Sequence, residues 1–442
     1  MSLNRRSFIA GSAAIASHPA LGAVSASGEV DVAIIGAGAA GIAAARKVAA
    51  AGRRYALLEA SDRIGGRCLT DTAIFGVPYD RGAHWLHMPD INPIAKLAAG
   101  VGGMEVYAAP PGQKLRIGRR NAREGEMEDY LATIVRASRA IQDGARGKAD
   151  ISCAQALPKD LGDWKPAVDF VLGPFGCGKN LEDISALDFA RSAERDIDAF
   201  CRQGLGALLA RLAGDLTVQL KAPVTRLQPG RGVVEMETGR GFIRARAAIV
   251  TVSTNLLAAE KIKFLPDLPK RQLDAAAKLS LGSYDHIALE LKDNPLQLRN
   301  DDLVFEKSAG PRTAALLANV SGTSLALVEV GGKFGAELSR AGEAAMTDFA
   351  LGWLAELFGF DVKKLLGKTH ATRWNAEPLA LGAFSAAAVN GQGGRRILME
   401  PLRERVFFAG EAIHETLWGT VGGAWESGER AADAALKLWG RR

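Results

Sequence analysis

The chain has 442 residues, two to three times a typical single domain, so at least two packed lobes around a large core are expected. Hydrophobic residues at 48% and charged residues at 24% exclude a disordered or fibrous chain, and the length excludes a small disulfide-stapled module. Basic residues exceed acidic ones only by 55 against 49, too diffuse an excess to indicate nucleic acid. Glycine is enriched, at 50 of 442, which favours tight turns and close backbone approach to a ligand.

In chain order, Asn4-Arg5-Arg6-Ser7-Phe8-Ile9 opens a basic cap that leads into a weakly apolar run and a small-residue zone. That order predicts a signal peptide over 1–26, and the paired arginines point to the twin-arginine route and a periplasmic protein. No later stretch has 18 uncharged apolar residues, so no integral membrane segment is expected. Cys68, Cys153, Cys177 and Cys201 form no metal-ligand spacing; an exported protein could pair Cys153 with Cys177 or keep buried thiols.

A short β-branched run over 30–35 leads directly into Gly36-Ala37-Gly38-Ala39-Ala40-Gly41, an alanine-rich helix over 42–51, and a second strand over 55–58 that ends at Glu59. This is a dinucleotide cradle. Gly36 allows the tight turn, Gly38 lets backbone N–H groups approach a pyrophosphate, and Gly41 lets helix and strand pack closely. Glu59 lies 21 residues beyond Gly38, where a carboxylate would accept hydrogen bonds from ribose hydroxyls. Farther on, 125–143, 188–212, 343–357 and 425–438 show helical spacing, 325–330 and 406–409 read as strands, and 108–118, with Pro110-Pro111-Gly112, reads as a mobile loop.

The continuation Glu59-Ala60-Ser61-Asp62-Arg63-Ile64-Gly65-Gly66-Arg67 resembles the signature of the flavin-containing amine oxidase superfamily, which includes monoamine and polyamine oxidases, histone lysine demethylases and L-amino acid oxidases. The resemblance recurs in Asp80-Arg81-Gly82-Ala83-His84-Trp85-Leu86-His87, in Pro223-Val224 with the strands through Val252, in Val406-Phe407-Phe408-Ala409-Gly410-Glu411, and in Gly422-Gly423-Ala424-Trp425-Glu426-Ser427-Gly428-Glu429-Arg430. It implies an α/β fold: a Rossmann-type, glutathione-reductase-like FAD-binding domain from 29–80, 206–282 and 386–440, interleaved with an α+β substrate domain from 81–205 and 283–385. It also implies FAD contacts from Gly36, Gly38, Ala39, Ala40, Gly41, Glu59, Ala60, Arg63, Gly65, Gly66, Arg67, Val224, Gly410, Glu411, Gly419, Thr420 and Val421. The implied reaction is hydride removal from the carbon beside an amine nitrogen, with the cofactor doing the redox chemistry and the protein positioning the substrate.

Several positions depart from the pattern of the resembled family. Ala383, within Gly382-Ala383-Phe384-Ser385, replaces the cysteine that tethers the flavin of monoamine oxidases, which predicts non-covalent FAD. Phe384 fits the first of two substrate-flanking aromatic positions, but Thr420 falls at the second, with Trp418 two residues earlier. His286, in Gly282-Ser283-Tyr284-Asp285-His286, takes the place of a water-binding lysine, so a fixed cation is missing and the electron acceptor is either O2 or a carrier protein. The alternative for His286 is a core histidine bonded to Asp285 or a carbonyl. His87 stands where polyamine oxidases face the substrate amine, without an ammonium-binding carboxylate at that position. Ser253 replaces a proline, and Trp374 matches a tryptophan packed beside the flavin. The substrate implied is a small or mono-amine; L-amino acid oxidation, with Arg373 or Arg191 as carboxylate clamp, and flavin binding without amine turnover are the alternatives. Association between copies is left open.

Overall fold

The computed structural model describes residues 29–193, 197–359 and 361–439, so the expected signal peptide lies outside the described residues. The first strand, Glu29–Ile35, pairs in parallel with Tyr55–Leu58 on one side and with Gly241–Val250 on the other. Its side chains alternate between two cores: Ala33 and Ile35 join one apolar cluster, Val32 and Ile34 the other. Both faces are covered, which is why the strand reads as an unbroken apolar run. The helix Ala39–Ala50 lies between the first two strands in sequence and packs against the last long helix, Val421–Leu436. That contact is close because Gly428 has no side chain; a Cβ there would stand 2.1 Å from the Ala40 carbonyl oxygen.

Val224–Pro229, Val234–Thr238 and Gly241–Val250 form an antiparallel meander whose last strand runs on into the parallel part, and Val406–Phe408 adds to its other edge. Ser253, the residue in the place of a proline, caps the helix Thr254–Ala258 by accepting from Leu256 N at 3.2 Å, and donates to the Ala380 carbonyl at 2.7 Å. A hydroxyl there secures a link to the second lobe that proline lacks.

The second lobe is built on a seven-stranded sheet centred on Tyr284–Leu291, Leu325–Gly331 and Ala315–Ala318. One face, with Ile287, Leu289, Val328 and Val330, packs on the helices Gly332–Ala341 and Glu343–Phe358. The other, with Ala288, Leu317 and Leu327, meets Tyr79 and Phe200. Two expectations fail. The 188–212 stretch is not one helix: it divides into Ala186–Arg191, the strand Asp198–Cys201 and Leu205–Ala213, with Gly204 at φ 93° turning the chain between the last two. Apolar spacing alone cannot separate a short buried strand from a helical turn. Within 108–118, Lys114–Ile117 is a strand paired with Asp302–Glu306, so the loop is confined to the residues around Pro110 and Gly112. All four cysteines are buried, Cys153 and Cys177 within one apolar cluster.

Candidate active site

A cavity of about 990 Å³ runs from the first glycine turn to the second sheet, at the upper end of the roughly 300–1,000 Å³ usual for ligand sites. Gly36, Gly38, Ala39, Ala40, Glu59, Ala60, Arg63, Gly65, Gly66, Val224, Gly410 and Gly419 line it, together with Arg67, Glu411, Thr420 and Val421. Gly41 does not. Its Cβ would fall 1.8 Å from the Gly36 carbonyl oxygen, so its part here is to permit the packing of helix on turn.

At this end the residues fit a dinucleotide. Gly36 sits at φ 103°, a conformation favouring glycine, and its N–H donates to the Leu58 carbonyl at 2.7 Å. A Cβ on Gly38 would meet no protein atom closer than 3.8 Å, so the space above it serves something other than the fold. The helix that follows has neither a side-chain cap nor an acidic residue in its first turn, leaving its N–H groups and dipole for an anion. Glu59 accepts from Ala37 N and from Ser61 N, each at 2.8 Å, so it also holds the turn together, a role the sequence reading missed.

Arg67 and Glu411 differ from the expectation. Arg67 Nη1 donates to Glu411 Oε1 at 2.8 Å and to the Ala383 carbonyl at 2.6 Å, so part of the guanidinium is committed to protein partners. Glu411 also accepts from Ser385 Oγ at 2.7 Å and Gly419 N at 2.9 Å. Burial pushes its carboxyl up, but Arg67 and Ser385 outweigh that and hold it below the ordinary glutamate value. The pair thus ties the glycine-rich first lobe to the segments before and after the last strand.

At the other end of the cavity, Phe384, Trp374, His286 and His87 all line the wall. Trp374 is fixed at both ends: its indole N–H donates to Arg81 O and its backbone N–H to Asp285 Oδ1, each at 2.8 Å. Thr420 is a correction. Its hydroxyl accepts from Gly423 N at 2.9 Å and donates to Leu417 O at 2.7 Å, capping the last long helix, so it is not free to act on a substrate. The second ring is Tyr284, whose centroid lies 5.6 Å from that of Phe384. Trp418 lines the wall with Arg395 over its ring at 4.9 Å.

His286 presents a ring to the cavity while its Nδ1 meets the Asp80 carbonyl at 3.2 Å and its Nε2 faces Glu329 Oε1 at 3.5 Å. Burial lowers its pKa to about 4, so it is neutral near pH 7. Asp285 points to the opposite face, bonded to Thr372 and Trp374. His87 carries a second correction. The strand Asp198–Cys201 sets Asp198 directly opposite it, and Asp198 Oδ1 lies 2.6 Å from His87 Nδ1 with both groups lining the cavity. A carboxylate is therefore present at this position, supplied from a segment that the sequence reading had made helical. His84 is held by Asp80 at 2.9 Å and stacks on Phe200; His414 is held by Glu426 at 3.0 Å. Neither Arg373, which donates to the Ser339 carbonyl, nor Arg191 lines the cavity.

A glycine turn opening an uncapped helix, an acid ending the second strand and a chamber lined by aromatic rings fit a dinucleotide-dependent oxidoreductase. Residues 39–436 match the family model described as flavin containing amine oxidoreductase. The chain belongs to that family and is an FAD-dependent amine oxidoreductase. Human lysine-specific histone demethylase 2 is 28% identical over 435 residues, covering 91% of this chain and 53% of the relative; the chain thus spans about half that protein's length. Polyamine oxidase 4 of Oryza sativa subsp. japonica is 26% identical over 442 residues, covering 92% and 88%. Among solved structures, putrescine oxidase bound to putrescine superposes with a TM-score of 0.78 at 21% identity, and cyclohexylamine oxidase from Brevibacterium oxydans IH-35A with 0.79 at 19%; each covers 94% of this chain and all of the other. At these identities the superpositions describe the fold.

Proposed function

We propose that the chain oxidises a small or mono-amine in the chamber formed by Phe384, Tyr284, Trp418 and the segment Val171–Phe175, using dissociable FAD. The observation that carries this is the composition of the wall: Val171, Leu172, Phe175, Phe189 and Leu303 join the two rings, so the chamber suits an apolar group and excludes water. Bound FAD would supply the redox chemistry, taking a hydride from the carbon beside the amine nitrogen. Everything else is positioning: Trp374 fixes one wall through its two hydrogen bonds, and Phe384 with Tyr284 confines the substrate's apolar part. The Asp198–His87 pair favours a second reading, an α,ω-diamine whose distal ammonium meets Asp198.

Anaerobic mixing with a panel of amines distinguishes these readings. Cyclohexylamine and benzylamine are expected to bleach the oxidised flavin band faster than putrescine, and spermine slowest; putrescine bleaching fastest would replace the monoamine reading with the diamine one, and no bleaching at all would leave a flavin-binding protein without turnover. Admitting air or a cytochrome afterwards identifies the acceptor, for which the neutral His286 side chain favours a carrier protein over O2.

Ala383 supports non-covalent attachment, because the methyl group offers no sulfur for a thioether. Acid precipitation should leave the yellow colour in the supernatant; colour staying with the pellet would contradict dissociable binding. The export reading rests on residues 1–26, and amino-terminal sequencing of periplasmic material tests it.

A further inference from the structure

The antiparallel register of the second sheet sets His286 opposite Glu329, with Tyr284 two residues along on the same face. Glu329 is fully buried, and neither carboxyl oxygen completes a well-aligned hydrogen bond. Around it stand His286 Nε2 at 3.5 Å, the Tyr284 hydroxyl and the Trp85 indole; His84 is close enough to act on it electrostatically, and across the next strand it faces the neutral Ala315. Asp80, which holds His84, adds its carbonyl to His286 Nδ1, and Asp285 is turned away. Tyr284, His286, His84 and Trp85 line the amine chamber, while Glu329 lies just behind them.

A buried carboxyl without a salt-bridge lysine or arginine is an expensive arrangement, and it is retained where it holds a proton or has a task. Burial raises the Glu329 carboxyl to about 7 and lowers His286 to about 4, so below neutrality the pair carries its proton on Glu329, and above it Glu329 becomes a carboxylate beside a neutral imidazole. Burial also keeps the Tyr284 hydroxyl well above its ordinary range, which suits a group that passes protons without storing a charge.

We propose that Glu329 is the final acceptor of the proton that a substrate alkylammonium must lose in the chamber, reached through the Tyr284 hydroxyl, with His286 steadying the carboxyl. The ammonium N–H bond breaks as its proton moves to the Tyr284 oxygen, and the original Tyr284 hydroxyl proton moves to the Glu329 carboxylate. The products are a neutral amine, an unchanged tyrosine and a carboxylic acid. No electrons move, and two opposite charges disappear from a low-dielectric site, which favours the transfer. The proposal rests on the chamber being an amine site.

The test is the pH profile of anaerobic flavin bleaching by cyclohexylamine in the holoenzyme. In the wild type, the rate constant at low amine should fall about tenfold per pH unit below the ionisation near 7. In Glu329→Gln the acid limb should move up towards the ionisation of the free amine, near that of a lysine side chain, costing about a thousandfold at pH 7 and recovering to within about threefold at pH 10. Tyr284→Phe should shift the same way. A variant profile that is uniformly lower but unshifted overturns the proposal while leaving the amine reading intact; a wild type that no amine bleaches overturns both. Infrared pH-difference spectra of the flavin-free protein supply a readout independent of turnover. A protonated-carboxyl stretch should vanish between about pH 6 and pH 8 and be missing from Glu329→Gln. Its absence from the wild type overturns the proposal, and if Glu329→Gln does not fold, this titration and Tyr284→Phe decide.

Discussion

Gly41→Ala is expected to prevent the flavin-free chain from folding stably, while Gly38→Val, three residues earlier, leaves the fold intact and abolishes FAD binding. The two glycines differ in what lies above them. A Cβ at Gly41 would stand 1.8 Å from the Gly36 carbonyl oxygen and 2.9 Å from its carbon, and both obstacles are backbone. Gly36 cannot retreat, because its N–H is bonded to Leu58 O at 2.7 Å and the Thr251 hydroxyl reaches the carbonyls of Ile35 and Gly36 at 2.8 and 3.3 Å. Overpacking a core with a flexible neighbour costs about 1–3 kcal/mol, and here, without such a neighbour, roughly 4 kcal/mol or more is expected. At Gly38 the nearest protein atom to a Cβ is 3.8 Å away, so the change in the apoprotein should stay within about 1 kcal/mol. The lost space is where a dinucleotide pyrophosphate would lie. Urea melts of flavin-free protein and the flavin content of purified holoprotein separate the two effects; Gly38→Val retaining its yellow colour, or Gly41→Ala melting like wild type, would refute the assignment.

That contrast also shows which parts of the site a sequence can disclose. The glycine turn, the second-strand acid and the absence of a tethering cysteine are set by neighbours in the chain, where backbone geometry and chemistry dictate residue identity, and they are legible at Gly36, Gly38, Glu59 and Ala383. Residues whose task depends on a partner far away in sequence were not. Asp198 meets His87 across 111 positions, and the apolar spacing around it fits a helix as well as a strand. Counting along the motif puts Thr420 on a substrate wall, yet its hydroxyl is spent on capping, a role that its place just before a helix already signals. Tyr284 was within a quoted motif, but only the sheet register brings its ring to Phe384 and its hydroxyl towards Glu329. Glu329 itself lies in a run that reads simply as a strand.

Another long-range partnership carries the other large effect. Asp188→Ala is expected to cost about 3–5 kcal/mol and to lower the melting temperature by roughly 4 °C, because it strands Arg395, whose side chain is wholly enclosed. The pair is bidentate: Arg395 Nε and Nη2 donate to the two Asp188 oxygens at 2.8 and 2.7 Å across 207 positions, and Asp188 Oδ2 also accepts from Ala387 N at 2.8 Å. The remaining guanidinium nitrogen donates to Ala412 O at 2.8 Å, and the plane lies over Trp418. Asp188 belongs to the short helix Ala186–Arg191, whereas Ala387 and Ala412 flank the Arg67–Glu411 link, so the buried pair clamps the chamber wall onto the flavin-binding lobe. With Asp188 removed, Arg67 and Glu411 still hold each other, and FAD should stay bound at 25 °C while the KM for amine rises through the loosened Trp418. The double variant Asp188→Leu with Arg395→Met, which removes both charges, should recover most of the melting temperature without restoring the KM. A single variant as stable as wild type, or a double variant no better than the single one, would show that the clamp contributes little and that the chamber wall is held by its apolar contacts alone.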